Sequence, residues 1–129
     1  MTPQIGFLAF LLITVFLLGA VLLTGFARRI PAHLTLVALA LLSLGTAIFY
    51  AKQLGGLYDL QAAGPITPIH LFLAKLTTAL YILPLLSGAL TLRDRRHLPL
   101  HKNLAFLVVA MTLISTVTGA LMLYWAVPI

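Results

Sequence analysis

Long apolar runs alternate along the chain with short polar breaks, and the runs are far longer than strands or ordinary amphipathic helices need. They cover roughly residues 4–27, 33–54, 66–92 and 102–127. Each exceeds the ~20 residues that a helix requires to cross hydrocarbon. The pattern predicts an all-α polytopic membrane protein whose four helices form one up-down bundle over residues 1–129. Pro84 lies inside the third run. Lacking an N–H, it leaves the carbonyl of Leu80 without a helical partner, so a kink is expected there. Residues 55–66, with three glycines and Pro65, read as an ordered or partly re-entrant loop.

The basic residues orient these spans. Arg28 and Arg29 lie in the first connection, and Arg93, Arg95 and Arg96 in the third, with Lys102 just after it. The second connection holds only Lys52 and Asp59, and the N-terminal tail has no charged side chain. Because Lys and Arg favour the cytoplasmic side, loops one and three are expected inside and both termini outside. Tyr50, Tyr58, Tyr124 and Trp125 then fall at the outer ends, where interfacial aromatics gather. The first run lacks the basic region and cleavage site of a signal peptide and is read as a retained helix.

Composition agrees with this reading and narrows the chemistry. At 129 residues, 62% apolar and 8% charged, the chain has too little volume to hide its apolar surface from water, so lipid is the expected solvent. The absence of cysteine excludes disulfides, thiolate metal sites, c-type haem and iron–sulfur clusters built from this chain alone. The net charge of +6 reports loop asymmetry and gives no reason to expect nucleic acid as a partner. No nucleophile–base set, carboxylate pair or phosphate-binding loop occurs, so independent enzymatic activity is not expected.

The two halves of the chain share a pattern. "GAVLLTGFARRIPAH" from Gly19 and "GALTLRDRRHLPLH" from Gly88 both run Gly-Ala, a short apolar stretch, Arg-Arg, then Pro-x-His. Pro31 and His33 match Pro99 and His101, and Gly45 to Tyr50 matches Gly119 to Tyr124 as G-x4-Y. Either a helix hairpin was duplicated, or repetitive apolar sequence produced the likeness by chance. Duplication would place His33 and His101 at one depth on equivalent helices.

Two histidines so placed offer a bis-imidazole site for b-type haem. Gly19, Gly25 and Gly88 would make room for the macrocycle, and Arg28, Arg29, Arg95 and Arg96 would meet its propionates. Over Gly19 to His33 and Gly88 to His101 the chain resembles the four-helix membrane b-type cytochromes. In that family histidines on the second and fourth helices ligate haem, and glycines on the first and third open space. The chain departs from the family in that His33 and His101 stand at the very start of their apolar runs. The helix "LFLAKLTTALYILPLLSGALTLR" is also similar to the corresponding helix of the SirB-type small bacterial membrane proteins, which have four spans. The alternative for His33 and His101 is an interfacial role beside Pro31 and Pro99 at a helix N-terminus. His97 reads as solvated loop.

His70 and Lys75 lie within the third span, Lys75 about 13 Å from its outer end. An ionisable group at that depth costs at least ~2.5–3.5 kcal/mol unless it snorkels or is partnered. No carboxylate lies within a span. Lys75 must therefore snorkel with help from hydroxyls such as Thr78, bond hydroxyls or carbonyls of neighbouring helices, be neutral, or meet an acidic group or ligand from another molecule. His70 sits roughly 140° away around the helix and does not share its face. Thr112, Ser115, Thr116 and Gly119 form a small polar stripe expected to pack against another helix.

Three functions remain open on these residues. One is a membrane electron-transfer subunit holding haem b between His33 and His101, exchanging electrons with quinone. Another is a cofactor-free accessory subunit of a larger membrane complex, with Lys75 and His70 as partner or ligand contacts. The third is a small transporter or proton carrier using Lys75 and His70. Short loops and the lack of a targeting segment point to a bacterial inner membrane.

Overall fold

Helix occupies nearly all of the chain in the computed structural model, which describes residues 1–129. The elements are α1 (Pro3–Phe26), α2 (Ile30–Gly55), α3 (Ile66–Leu80), α4 (Ile82–Arg93) and α5 (Leu98–Trp125). Four stretches are long and apolar enough to cross a membrane: Pro3–Phe26, Ile30–Gly55, Ile66–Arg93 and Arg95–Trp125. The chain divides into two units, Met1–Tyr58 and Asp59–Ile129.

Local chemistry sets the helix ends. Thr2 caps α1 by accepting a hydrogen bond from the Ile5 amide, and Pro3 begins the helix at a position that needs no N–H. At the other end, Arg29 N–H donates to Thr24 O at 3.0 Å and Arg28 N–H to Gly25 O at 3.3 Å. That paired arrangement is a Schellman cap, which requires a left-handed residue between helix and turn. Arg28 fills the position with φ 55°, where glycine is the usual occupant. Pro31 then opens α2 within its first turn.

α2 and α5 begin at Ile30 and Leu98, earlier than the apolar runs suggest, because the Pro-x-His stretches are already helical. His33 and His101 are thus each the fourth residue of a helix, not its lead-in. The kink expected from Pro84 falls three residues before it in the third span. The span breaks at Tyr81, so α3 and α4 are separate helices, as the lost Leu80 carbonyl bond demands. The expected connection matches residues 56–65 between α2 and α3, with a 3-10 turn over Leu60–Ala63. Asp59 accepts from the Gln61 amide to start that turn, and the Thr67 hydroxyl donates to Leu60 O to close it.

In the third connection Asp94 accepts from both the Arg96 amide and its guanidinium, starting a 3-10 turn over Arg95–His97. Those bonds hold the Asp94 carboxyl below its ordinary range. The capped turn is therefore intact above the usual carboxylate pKa and is lost only as pH falls through the lowered value.

Within the first unit α1 and α2 form an antiparallel hairpin. Its centre is a buried hydroxyl pair, Thr14 Oγ1 and Ser43 Oγ at 2.8 Å, which both also reach the Phe10 carbonyl. Within the second unit α3 and α4 run antiparallel to α5. Thr77 meets Ser115 at 3.1 Å and Tyr81 Oη meets Thr112 at 2.7 Å. Every buried side-chain nitrogen or oxygen has a partner. The small polar stripe of α5 accordingly packs against α3 and Tyr81.

Arg28→Gly should raise the stability of the first hairpin by about 1 kcal/mol, because glycine carries no steric penalty in the left-handed region. Reversible unfolding in mild detergent measures this, and an unchanged or lower midpoint counts against strain at Arg28.

Candidate functional site

Aromatic and imidazole rings seat on glycines at both ends of each hairpin, and the candidate histidines belong to this set. Near the turn of the first unit, the His33 ring lies over Gly25, where an added Cβ would stand 3.3 Å from His33 Cε1. At its far end Tyr50 covers Gly6, with a Cβ there only 2.6 Å from the ring. In the second unit His101 lies over Gly88, with a Cβ at 3.1 Å, and His70 over Gly119, with a Cβ at 2.8 Å. Missing side chains let the helices close on one another at these four points.

Hydrogen bonds lock each imidazole in one orientation. His33 Nδ1 lies 2.9 Å from Val21 O, and since a carbonyl only accepts, Nδ1 carries the proton. His101 Nδ1 lies 3.1 Å from Ser87 Oγ, whose own proton goes to Pro84 O. His70 Nδ1 lies 3.0 Å from Thr118 Oγ1, whose proton goes to its own helix carbonyls Ile114 O and Ser115 O. All three rings donate through Nδ1 to the neighbouring helix. In each neutral ring Nε2 then bears the lone pair.

This geometry bears on a haem site. Glycines make room for a macrocycle only if nothing else occupies the gap they open. At Gly25 and Gly88 the gaps are filled by His33 and His101 themselves. Gly19 is exposed, with no atom within 4 Å of an added Cβ, and no histidine lies beside it. Arg28, Arg29, Arg93, Arg95 and Arg96 are all exposed at the turns, and Asp94 takes Arg96 at 2.7 Å.

Lys75 is the exception to this internal satisfaction. It is exposed on the side of α3 away from α5, and it makes no hydrogen bond or ion pair within the chain. Thr78, the expected helper, donates its hydroxyl to Ala74 O. His70 points the other way, into the hairpin, where it meets Thr118, and it does not share a face with Lys75. The seats of Tyr50 and Tyr81 were not foreseeable from spacing in one helix. The signal that could have found them is a ring on one strand of a hairpin opposite a glycine or hydroxyl on the other.

Gly119→Ala should destabilise the second hairpin by about 1–3 kcal/mol, because the His70 ring must leave its seat. Gly19→Ala should be neutral or stabilising by up to about 1 kcal/mol, since alanine favours helix and the space is open. Equal effects in detergent unfolding would contradict the ring-on-glycine contacts. At alkaline pH, where imidazole is neutral, nitrogen-15 spectra of labelled histidine should show the single ring proton on Nδ1 in His33, His70 and His101. The reverse tautomer at His33 would break the Val21 bond. No protein-family model, curated protein or solved structure matches this chain.

Proposed function

We propose that this chain is an integral membrane protein that crosses a bacterial inner membrane four times, with both termini on the non-cytoplasmic side. Its role in this reading is that of a cofactor-free accessory subunit in a larger membrane assembly. Large apolar side chains turned outward support the membrane location, among them Phe16 at 77% exposure, Leu42 at 70% and Phe72 at 65%. Lipid is the solvent in which such a surface carries no penalty. The arginine-bearing turns give the orientation by the bias of basic residues to the cytoplasm.

The observation that carries the accessory role is Lys75. It is a cation within an apolar span, exposed, in a protein whose buried polar atoms are all matched internally. The turns add little that a soluble partner could grip, since α1 and α2 are separated only by Ala27–Arg29. Contact with other subunits is then lateral, within the membrane.

The haem reading is the rival, and the Nδ1 bonds that seat His33 and His101 are compatible with ligation through Nε2. A visible spectrum separates the two. Colourless, folded protein in detergent is expected. A Soret band that shifts on dithionite reduction and vanishes in the His33→Ala, His101→Ala double variant would replace the accessory role with electron transfer. Because the chain has no cysteine, single introduced cysteines map its sides directly. Thiol reagents that cannot cross the membrane should label Thr2→Cys and Gln61→Cys from outside and Arg95→Cys only after permeabilisation. External labelling of Arg95→Cys would overturn the orientation.

A further inference from the structure

We infer that Lys75 docks this chain against a transmembrane helix of a different protein, one that carries an aspartate or glutamate at the same depth. The inference rests on the accessory reading and names the chemistry of its partner.

Among the Lys, Arg, Asp and Glu residues of the four spans, Lys75 alone stands more than two turns from a span end. Lys52 and Arg93 lie in last turns, and Lys102 lies close to the start of α5. An unpaired ammonium in hydrocarbon is costly, and a carboxylate from a neighbouring helix removes that cost for both groups. The chain cannot supply that carboxylate to a second copy of itself. Its only acidic side chains are Asp59 and Asp94. Both lie between spans, and both are already engaged, Asp59 with the Gln61 amide and Asp94 with Arg96. Charge complementarity therefore points to a hetero partner and not to a homo-oligomer.

The surface around Lys75 suits a helix. Leu71 and Phe72 one turn before it, and Thr78 and Ala79 one turn after it, are all exposed on the same side of α3. The Thr78 hydroxyl is occupied by Ala74 O, so this strip presents one cation in an otherwise apolar and small-residue setting. A partner helix with one carboxylate among apolar residues is its complement. The ammonium donates to the carboxylate, and the charges fix the register of the two helices.

A photo-crosslinking residue introduced at Phe72 or Ala79 of the full chain, in its native membrane, tests this. One protein adduct is expected with lysine at position 75 and also with Lys75→Arg. Lys75→Met should lower its yield roughly tenfold or more, since one partner of a desolvated ion pair is lost. Methionine is more compatible with lipid than lysine, so insertion is retained. The crosslinked peptide should contain Asp or Glu inside an apolar run. Lys75→Asp alone, or the partner carboxylate changed to Lys alone, should abolish the adduct, and the two together should restore it.

An adduct unchanged by Lys75→Met would mean that the lysine snorkels to the headgroups, and it would overturn the inference. So would an adduct to a second copy of this chain, or to a peptide with no carboxylate. The accessory reading fails separately, if the chain solubilised from its native membrane migrates only at its own mass. A larger complex that survives Lys75→Met sinks the lysine inference alone.

Discussion

Helices that are apolar on every side have no hydrophobic difference by which to choose a packing face, so close backbone approach and hydroxyl or imidazole bonds must make the choice. Both hairpins obey this constraint. Their polar side chains are few, and those between the helices are spent on helix-to-helix contact. Thr14 with Ser43, Thr77 with Ser115 and Tyr81 with Thr112 sit in the middle. Rings on Gly6, Gly25, Gly88 and Gly119 close the ends. Each glycine removes the one atom that would hold a ring away, and each imidazole bond fixes rotation about the helix axis as well as distance.

The same constraint gives three histidines in apolar helices a packing role. Imidazole in this setting is a flat, hydrogen-bonding ring that fills the gap beside a glycine and donates to a carbonyl or hydroxyl opposite. His33 does so against Val21 O, His101 against Ser87 and His70 against Thr118. Lys75 cannot be explained in this way, because no acceptor within the chain takes its protons. A residue that departs from the packing rule of its own molecule is where a function is best sought.

The two hairpins share more than composition. In each, a Pro-x-His stretch begins the returning helix, and the histidine occupies its fourth position. In each, that ring seats on a glycine of the preceding helix. The alignment of Gly19 with Gly88 nevertheless fails in space, because Gly25 is the glycine under His33. The cause lies in the turns. Arg28 closes the first in a tight left-handed cap, whereas Asp94 adds a 3-10 turn to the second and moves the contacting glycine farther from its histidine in sequence. At the ends away from these turns the roles are exchanged. Tyr50 of the returning helix covers Gly6, while His70 of the leading helix covers Gly119.

The sequence by itself determined four helices of spanning length, because apolar runs of such length admit no other regular structure. It also determined the break near Pro84, since a missing N–H acts through covalent structure, and the solitary cation Lys75, since counting carboxylates needs no coordinates. The tertiary structure decided which polar residues meet. Spacing along one helix says nothing about the residue opposite on another, so Thr14 with Ser43 and Tyr81 with Thr112 were not legible. Nor was the choice of Gly25 over Gly19 as the seat of His33. That choice follows from where the Arg28 cap ends α1 and at what level the chain returns, and a shift of one residue there would put a different face against the ring.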